Sequence, residues 1–189
     1  MASLKGVVEY RWHGRGGQGA WTASELLART ALHEGKHIQS FPEFGPERMG
    51  APVTAFTRIS NEVIRLHSSV YEPDVVVVLD PTLLKTVPVA SGVDDKGLFI
   101  VNSADEPVKV RESLKTKKGK LWTVPATQIA LKILGMSITN TAMLGAVARA
   151  TNVVSLESIE KIVQERFRAD LAEKNFAVIK EAFQEAKQE

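Results

Sequence analysis

The sequence predicts an α/β fold: a single three-layer α/β/α domain over residues 1–189, built on a mixed, mostly parallel sheet. Three observations predict it. Val75-Val76-Val77-Val78-Leu79 is a β-branched run of the kind that marks a central strand covered on both faces. A glycine-rich turn, His13-Gly14-Arg15-Gly16-Gly17-Gln18-Gly19, sits between a strand-like and a helix-like segment. Strand and helix periods then alternate along the chain, with no internal repeat or long linker to divide it.

The elements follow in order. Val7 to Trp12 reads as the first strand. Gln18 to Glu34 reads as a helix whose Ala20, Ala23, Leu26, Leu27, Thr30 and Ala31 share one face, stopped by Gly35. His37 to Phe41 is a second strand. It opens a stretch from Phe41 to Pro52 with three prolines and two glycines, which reads as a loop. Val53 to Ile59 and Val63 to His67 flank Ser60-Asn61 and predict an antiparallel hairpin. Asp74 to Asp80 is the central strand, and Asp80-Pro81 falls at its carboxyl end, where open α/β sheets gather ligand-facing loops. Gly97 to Asn102 and Lys120 to Val124 are further strands. Helices follow at Ala126 to Leu134, at the small-residue stretch Asn140 to Ala150, from a cap at Ser155, and over Leu171 to Lys187.

Composition excludes several classes. The absence of cysteine removes disulfides, thiolate nucleophiles, cysteine-held zinc and iron–sulfur clusters from this chain. A net charge of +2 does not suggest a nucleic-acid surface, and Lys115-Thr116-Lys117-Lys118-Gly119-Lys120 reads as a solvated loop. The four histidines form no metal-ligand spacing, and there is no G-x-S-x-G elbow. Met1-Ala2-Ser3-Leu4-Lys5 is not an apolar signal segment and no run is long enough to span a bilayer, so the expectation is a cytoplasmic protein without membrane contact.

The chemistry therefore centres on the turn. Glycines there allow positive φ and close approach, helix amides favour an anion, and Arg15 adds charge. The G-x-G-x-x-G register of Gly14, Gly16 and Gly19 is kept. The ribose-binding acid expected about 20 residues on is missing from Glu34 to Ser40. The turn thus reads equally as a close helix–sheet packing device or as an anion site. Glu43, Glu47 and Arg48 stand on the proline-rich loop, either as surface ion pairs or as a charged frame opposite the turn. Asn140 reads as a helix cap.

Four segments together resemble the gamma subunit of 2-oxoacid:ferredoxin oxidoreductases: His13 to Gly19, Phe41 to Val53, Pro73 to Leu84, and Asn140 to Ala146. The resemblance covers nearly the whole chain, and the spelling Pro46-Glu47-Arg48-Met49-Gly50-Ala51-Pro52-Val53 is nearest to the pyruvate (pyruvate synthase) group, although Met49 stands where related sequences usually carry a second arginine. It implies a subunit with no catalytic residue of its own in a complex that converts a 2-oxoacid and coenzyme A to acyl-CoA, carbon dioxide and reduced ferredoxin. It implies thiamine diphosphate, magnesium and 4Fe-4S clusters in alpha, beta and ferredoxin-like delta subunits. Gly14, Arg15, Gly16, Gly17, Gln18 and Gly19 would then face the phosphates of coenzyme A. The same role with another 2-oxoacid, such as phenylglyoxylate, and a stand-alone nucleotide-binding protein are the alternative readings.

Overall fold

The computed structural model describes residues 6–43 and 49–189. Its seven strands are β1 (Val7–Arg15), β2 (His37–Pro42), β3 (Pro52–Ser60), β4 (Val75–Val78), β5 (Leu98–Asn102), β6 (Lys120–Val124) and β7 (Lys187–Gln188). The helices are α1 (Ala20–His33), α2 (Leu83–Thr86), α3 (Pro107–Leu114), α4 (Ala126–Leu134), α5 (Asn140–Thr151), α6 (Leu156–Arg166) and α7 (Ala169–Glu185). The strands form one sheet in the order β2-β3-β1-β4-β5-β6-β7. Pairing is parallel from β1 through β4 and β5 to β6, and antiparallel where β3 meets β1 and β2 and where β7 meets β6. The sheet is therefore mixed, and only β3 and β7 run against the other strands.

The valine run behaves as its composition dictates. Side chains alternate across a strand, so Val75 and Val77 enter one core with Tyr10, Trp12, Leu98 and Ile100, while Val76 and Val78 enter a second with Phe99, Val101 and Leu121. Each buried valine or leucine contributes roughly 1.5–3 kcal/mol relative to exposure. Helices α1, α4, α5, α6 and α7 cover the first face, and the predicted inner residues of α1 are all buried. α5 is buried along Asn140 to Ala148 because its small residues admit α7 closely: a Cβ on Gly145 would lie 2.3 Å from the Ile179 carbonyl oxygen. Ser155 caps α6 as expected, accepting from the Ser158 amide at 3.2 Å.

Four expectations change. Val63 to His67 is not a strand, because β3 already has β1 on one edge and β2 on the other, leaving no edge for a hairpin partner. Residues 61–73 instead cross the outer face, where the Leu66 and Ser68 carbonyls accept from Gln39 and Arg58. β1 continues past Trp12 to Arg15 because β3 pairs with it that far. α1 begins at Ala20 rather than Gln18, because Gly19 has φ 76° and the Gln18 side chain turns back to the Arg15 amide. The final helix stops at Glu185, and Lys187–Gln188 pair with β6 instead of extending it.

Candidate functional site

β1 leads into α1 on one face of the sheet, whereas β4 leads into α2 on the other. Chain direction thus diverges at the carboxyl ends of two adjacent parallel strands. Ligands of doubly wound sheets bind at such a point. Gly14 closes β1 against Ala20 and Leu79, with room for little beyond a hydrogen at its Cα. Gly17 has φ 94°, a conformation that side chains rarely adopt.

The turn is held from outside itself. The Gly16 amide donates to the Ala51 carbonyl at 2.9 Å, and the Gly50 amide returns to the Gly16 carbonyl at 3.2 Å. Arg15 donates from Nε to Asp80 Oδ2 (3.0 Å), from Nη1 to the Gly50 carbonyl (3.0 Å) and from Nη2 to Thr82 Oγ1 (2.8 Å). Gln18 Nε2 donates to the same Asp80 oxygen at 2.9 Å, while its Oε1 accepts from the Arg15 amide at 2.8 Å. Burial would raise the Asp80 carboxyl, but hydrogen bonds from Thr82 and Gln18 and the charge of Arg15 hold it below the usual carboxylate range. Much of the Arg15 charge is therefore answered by Asp80. Among the described residues two of its five N–H groups remain without an acceptor, on a side chain that is 30% exposed.

An attraction for anions rests chiefly on backbone. The amides of Gly17, Gly19, Ala20, Trp21 and Thr22 donate to nothing among the described residues. They form the positive end of the α1 dipole. A second helix starts beside them. Asn140, the first residue of α5, packs on Gly19, its Nδ2 only 2.6 Å from where a glycine Cβ would stand. Asn140 is not the N-cap; Thr139 takes that position, and the Thr139 hydroxyl is buried with no hydrogen-bond partner among the described residues.

Of the loop residues, Glu43 is exposed at the end of β2, its amide bonded to the Thr54 carbonyl at 2.9 Å, which sets it in register beside Thr54 and His13. Glu47 and Arg48 lie outside the described residues. His13 is buried, and burial followed by the charge of Arg11 pushes its pKa down to about 3. Its Nε2 accepts from Arg11 Nε at 3.1 Å, so at neutral pH it is an uncharged, engaged acceptor rather than a general base. Sequence reasoning noted Asp80 but missed the contacts that Thr82, Asn102 and Asn140 make at the strand ends and the turn. The Asp-Pro-Thr spelling was a usable signal, since Asp80 Oδ1 accepts from the Thr82 amide at 2.9 Å. Asn102 bridges the Leu79 carbonyl and Thr127 across 23 and 25 residues, and no local pattern announces that.

Fold and switch point together define an α/β module whose glycine turn leaves free amides at a helix start. The pyruvate ferredoxin/flavodoxin oxidoreductase family matches residues 9–185, and the chain belongs to that family. It is 57% identical over 177 residues to the pyruvate/ketoisovalerate oxidoreductases common subunit gamma of Thermococcus kodakarensis, covering 94% of this chain and 96% of that one. It is 53% identical over 159 residues to pyruvate synthase subunit PorC of Methanosarcina barkeri, covering 84% and 85%. The crystal structure of pyruvate oxidoreductase subunit PORC from Thermotoga maritima superposes with a TM-score of 0.87 at 41% identity, covering 96% of this chain and 98% of that one. The protein is thus a gamma-type, non-autonomous subunit of a multisubunit 2-oxoacid ferredoxin oxidoreductase.

Proposed function

We propose that this subunit supplies the coenzyme A phosphate contacts of a pyruvate-oxidising complex, together with surface for assembly. The observation that carries the reading is the set of amides of Gly17, Gly19, Ala20, Trp21 and Thr22, unpartnered among the described residues, at the switch point between β1 and β4. A phosphate is the ligand such a helix start favours. Gly14 to Gly19 form the cradle, Arg15 gives its two remaining N–H groups, and Gln18 fixes the turn against Asp80. Glu43, exposed at the end of β2, is the described residue of the charged loop set proposed to meet ligand or partner.

In this reading the 2-oxoacid reacts on thiamine diphosphate and magnesium held by alpha and beta subunits. Electrons leave through 4Fe-4S clusters of the partners and a ferredoxin-like delta subunit. This chain's cysteine-free sequence suits that division of labour. That the Thermococcus relative is named as common to pyruvate and ketoisovalerate oxidoreductases supports placing choice of the 2-oxoacid in other subunits.

Arg15→Ala in the assembled complex is expected to weaken coenzyme A binding by about 1–3 kcal/mol. Steady-state kinetics would show this as a raised KM for coenzyme A with the KM for pyruvate unchanged. An unaltered coenzyme A KM would overturn the assignment.

A further inference from the structure

We propose that the lysine-rich corner made by α3, the loop after it and the start of β6 is a docking surface for a transiently bound protein with a carboxylate-rich face, the soluble electron carrier of the complex. The corner lies at the amino ends of β5 and β6, at the other end of the parallel strands from the glycine turn. It therefore goes beyond the coenzyme A reading and does not depend on it.

Charge is segregated along this chain. Residues 107–120 hold six lysines and arginines and a single acid, Glu112, so the remainder of a chain that is +2 overall is negative. Of the six, only Arg111 is in an ion pair among the described residues. Lys109, Lys115, Lys117, Lys118 and Lys120 are exposed. Lys96 joins them, because the Lys120 amide donates to the Gly97 carbonyl at 2.9 Å and Gly119 packs on that same carbonyl. Asp94 and Asp95 flank Lys96, but Asp94 Oδ1 accepts from the Lys96 backbone amide at 2.8 Å and neither acid pairs with an ammonium group.

The loop is braced from within. Arg111 donates from Nη1 to the Lys118 carbonyl and from Nη2 to the Gly119 carbonyl, both at 2.9 Å, while its Nε donates to Glu189 at 3.0 Å. The Lys118 amide donates to Thr116 Oγ1 at 3.1 Å, and Lys115 and Gly119 take φ of 54° and 69°. The backbone is thus held, and the unpaired charges are kept close together. Like charges so held repel one another, and an approaching anionic surface relieves that repulsion.

Composition selects the kind of partner. Lys115 to Lys120 contains no hydrophobic side chain, and Leu114 and Leu121 on either side are buried. Stable subunit interfaces are apolar at their centre and poor in lysine, whereas brief redox encounters are small, polar and steered by charge. A reaction that delivers electrons to ferredoxin needs an encounter of the second kind.

Lys117→Glu combined with Lys118→Glu, made in the assembled complex, tests the proposal with the host's ferredoxin and with methyl viologen as alternative acceptors. The kcat/KM for ferredoxin is expected to fall about tenfold or more in about 10 mM salt. That loss should shrink towards about 100 mM salt, as the screening length drops from about 30 to about 10 Å. The methyl viologen rate and the coenzyme A KM should not fall or rise with it. Lys117→Gln combined with Lys118→Gln should give a smaller loss in the same direction, and it decides the matter if the glutamate variant fails to assemble. Unchanged ferredoxin kinetics at low salt would overturn the proposal. An equal fall with methyl viologen would overturn it as well, because the defect would then lie in catalysis and not in docking. So would loss of partner subunits from the glutamate variant while the glutamine variant keeps normal ferredoxin kinetics, since the surface would then serve assembly.

Discussion

The two faces of the sheet are built on opposite principles. Under α1, α4, α5, α6 and α7 the strands present Tyr10, Trp12, Val75, Val77 and Ile100, an almost wholly apolar layer. On the other face α2 and α3 reach only the β4 to β6 side, and the β1, β3 and β2 side lies under irregular chain. There the strands carry Glu9, Arg11, His13, Gln39 and Arg58. A helix satisfies its own carbonyls, so it can be packed on hydrocarbon; an irregular segment cannot, and needs donors beneath it. Arg58 provides them to Ser68 at 2.8 Å while paired with Glu9 at 2.7 Å, and Arg11 provides them to Val89 and Ser91 at 3.0 and 2.6 Å.

If that contrast is right, the largest loss comes from removing a strap. Arg58→Met leaves Glu9 buried and unpaired and is expected to cost about 3–5 kcal/mol, measured as a fall in the urea midpoint of the full chain. The double variant Glu9→Leu with Arg58→Met should recover part of that loss, since the stranded charge is gone. Recovery of nothing would locate the cost in the lost carbonyl contacts instead.

The helical face should fail by crowding rather than by charge. Gly145→Ala forces α5 from the Ile179 carbonyl and is expected to cost about 1–3 kcal/mol in the same assay. A neutral result would mean that α7 can slide, and would weaken the picture of a tightly seated helix layer.

A further effect is in the pH dependence of the strapped face. His13 is held neutral in the folded chain, with a pKa of about 3 against 6.5 when exposed. The unfolded chain therefore binds the extra proton between those values. Stability falls as pH drops below 6.5, with a contribution approaching about 1.4 kcal/mol per pH unit. His13→Gln, which still offers Arg11 an acceptor, should flatten the stability curve between pH 6.5 and 4.5. Parallel curves for the two proteins would contradict the assignment.

Much of the helical face was legible in the sequence. The inner residues of α1, the valine strand, the Ser155 cap and the glycine turn each depend on spacing within a few residues, and local periodicity reports local burial directly. The strapped face was not. Val63 to His67 has strand-like alternation, and only the pairing of both edges of β3 denies it a place in the sheet.

The same division runs through the site. The sequence by itself determined that a glycine turn containing Arg15 ends the first strand and opens a helix, because torsional freedom and helix starts are properties of adjacent residues. Only the tertiary structure decided that Arg15 would meet Asp80, that Gly50 would brace Gly16, and that Asn140 would stand over Gly19. Those meetings depend on strand order and on how α5 packs against α1, which no short-range pattern encodes.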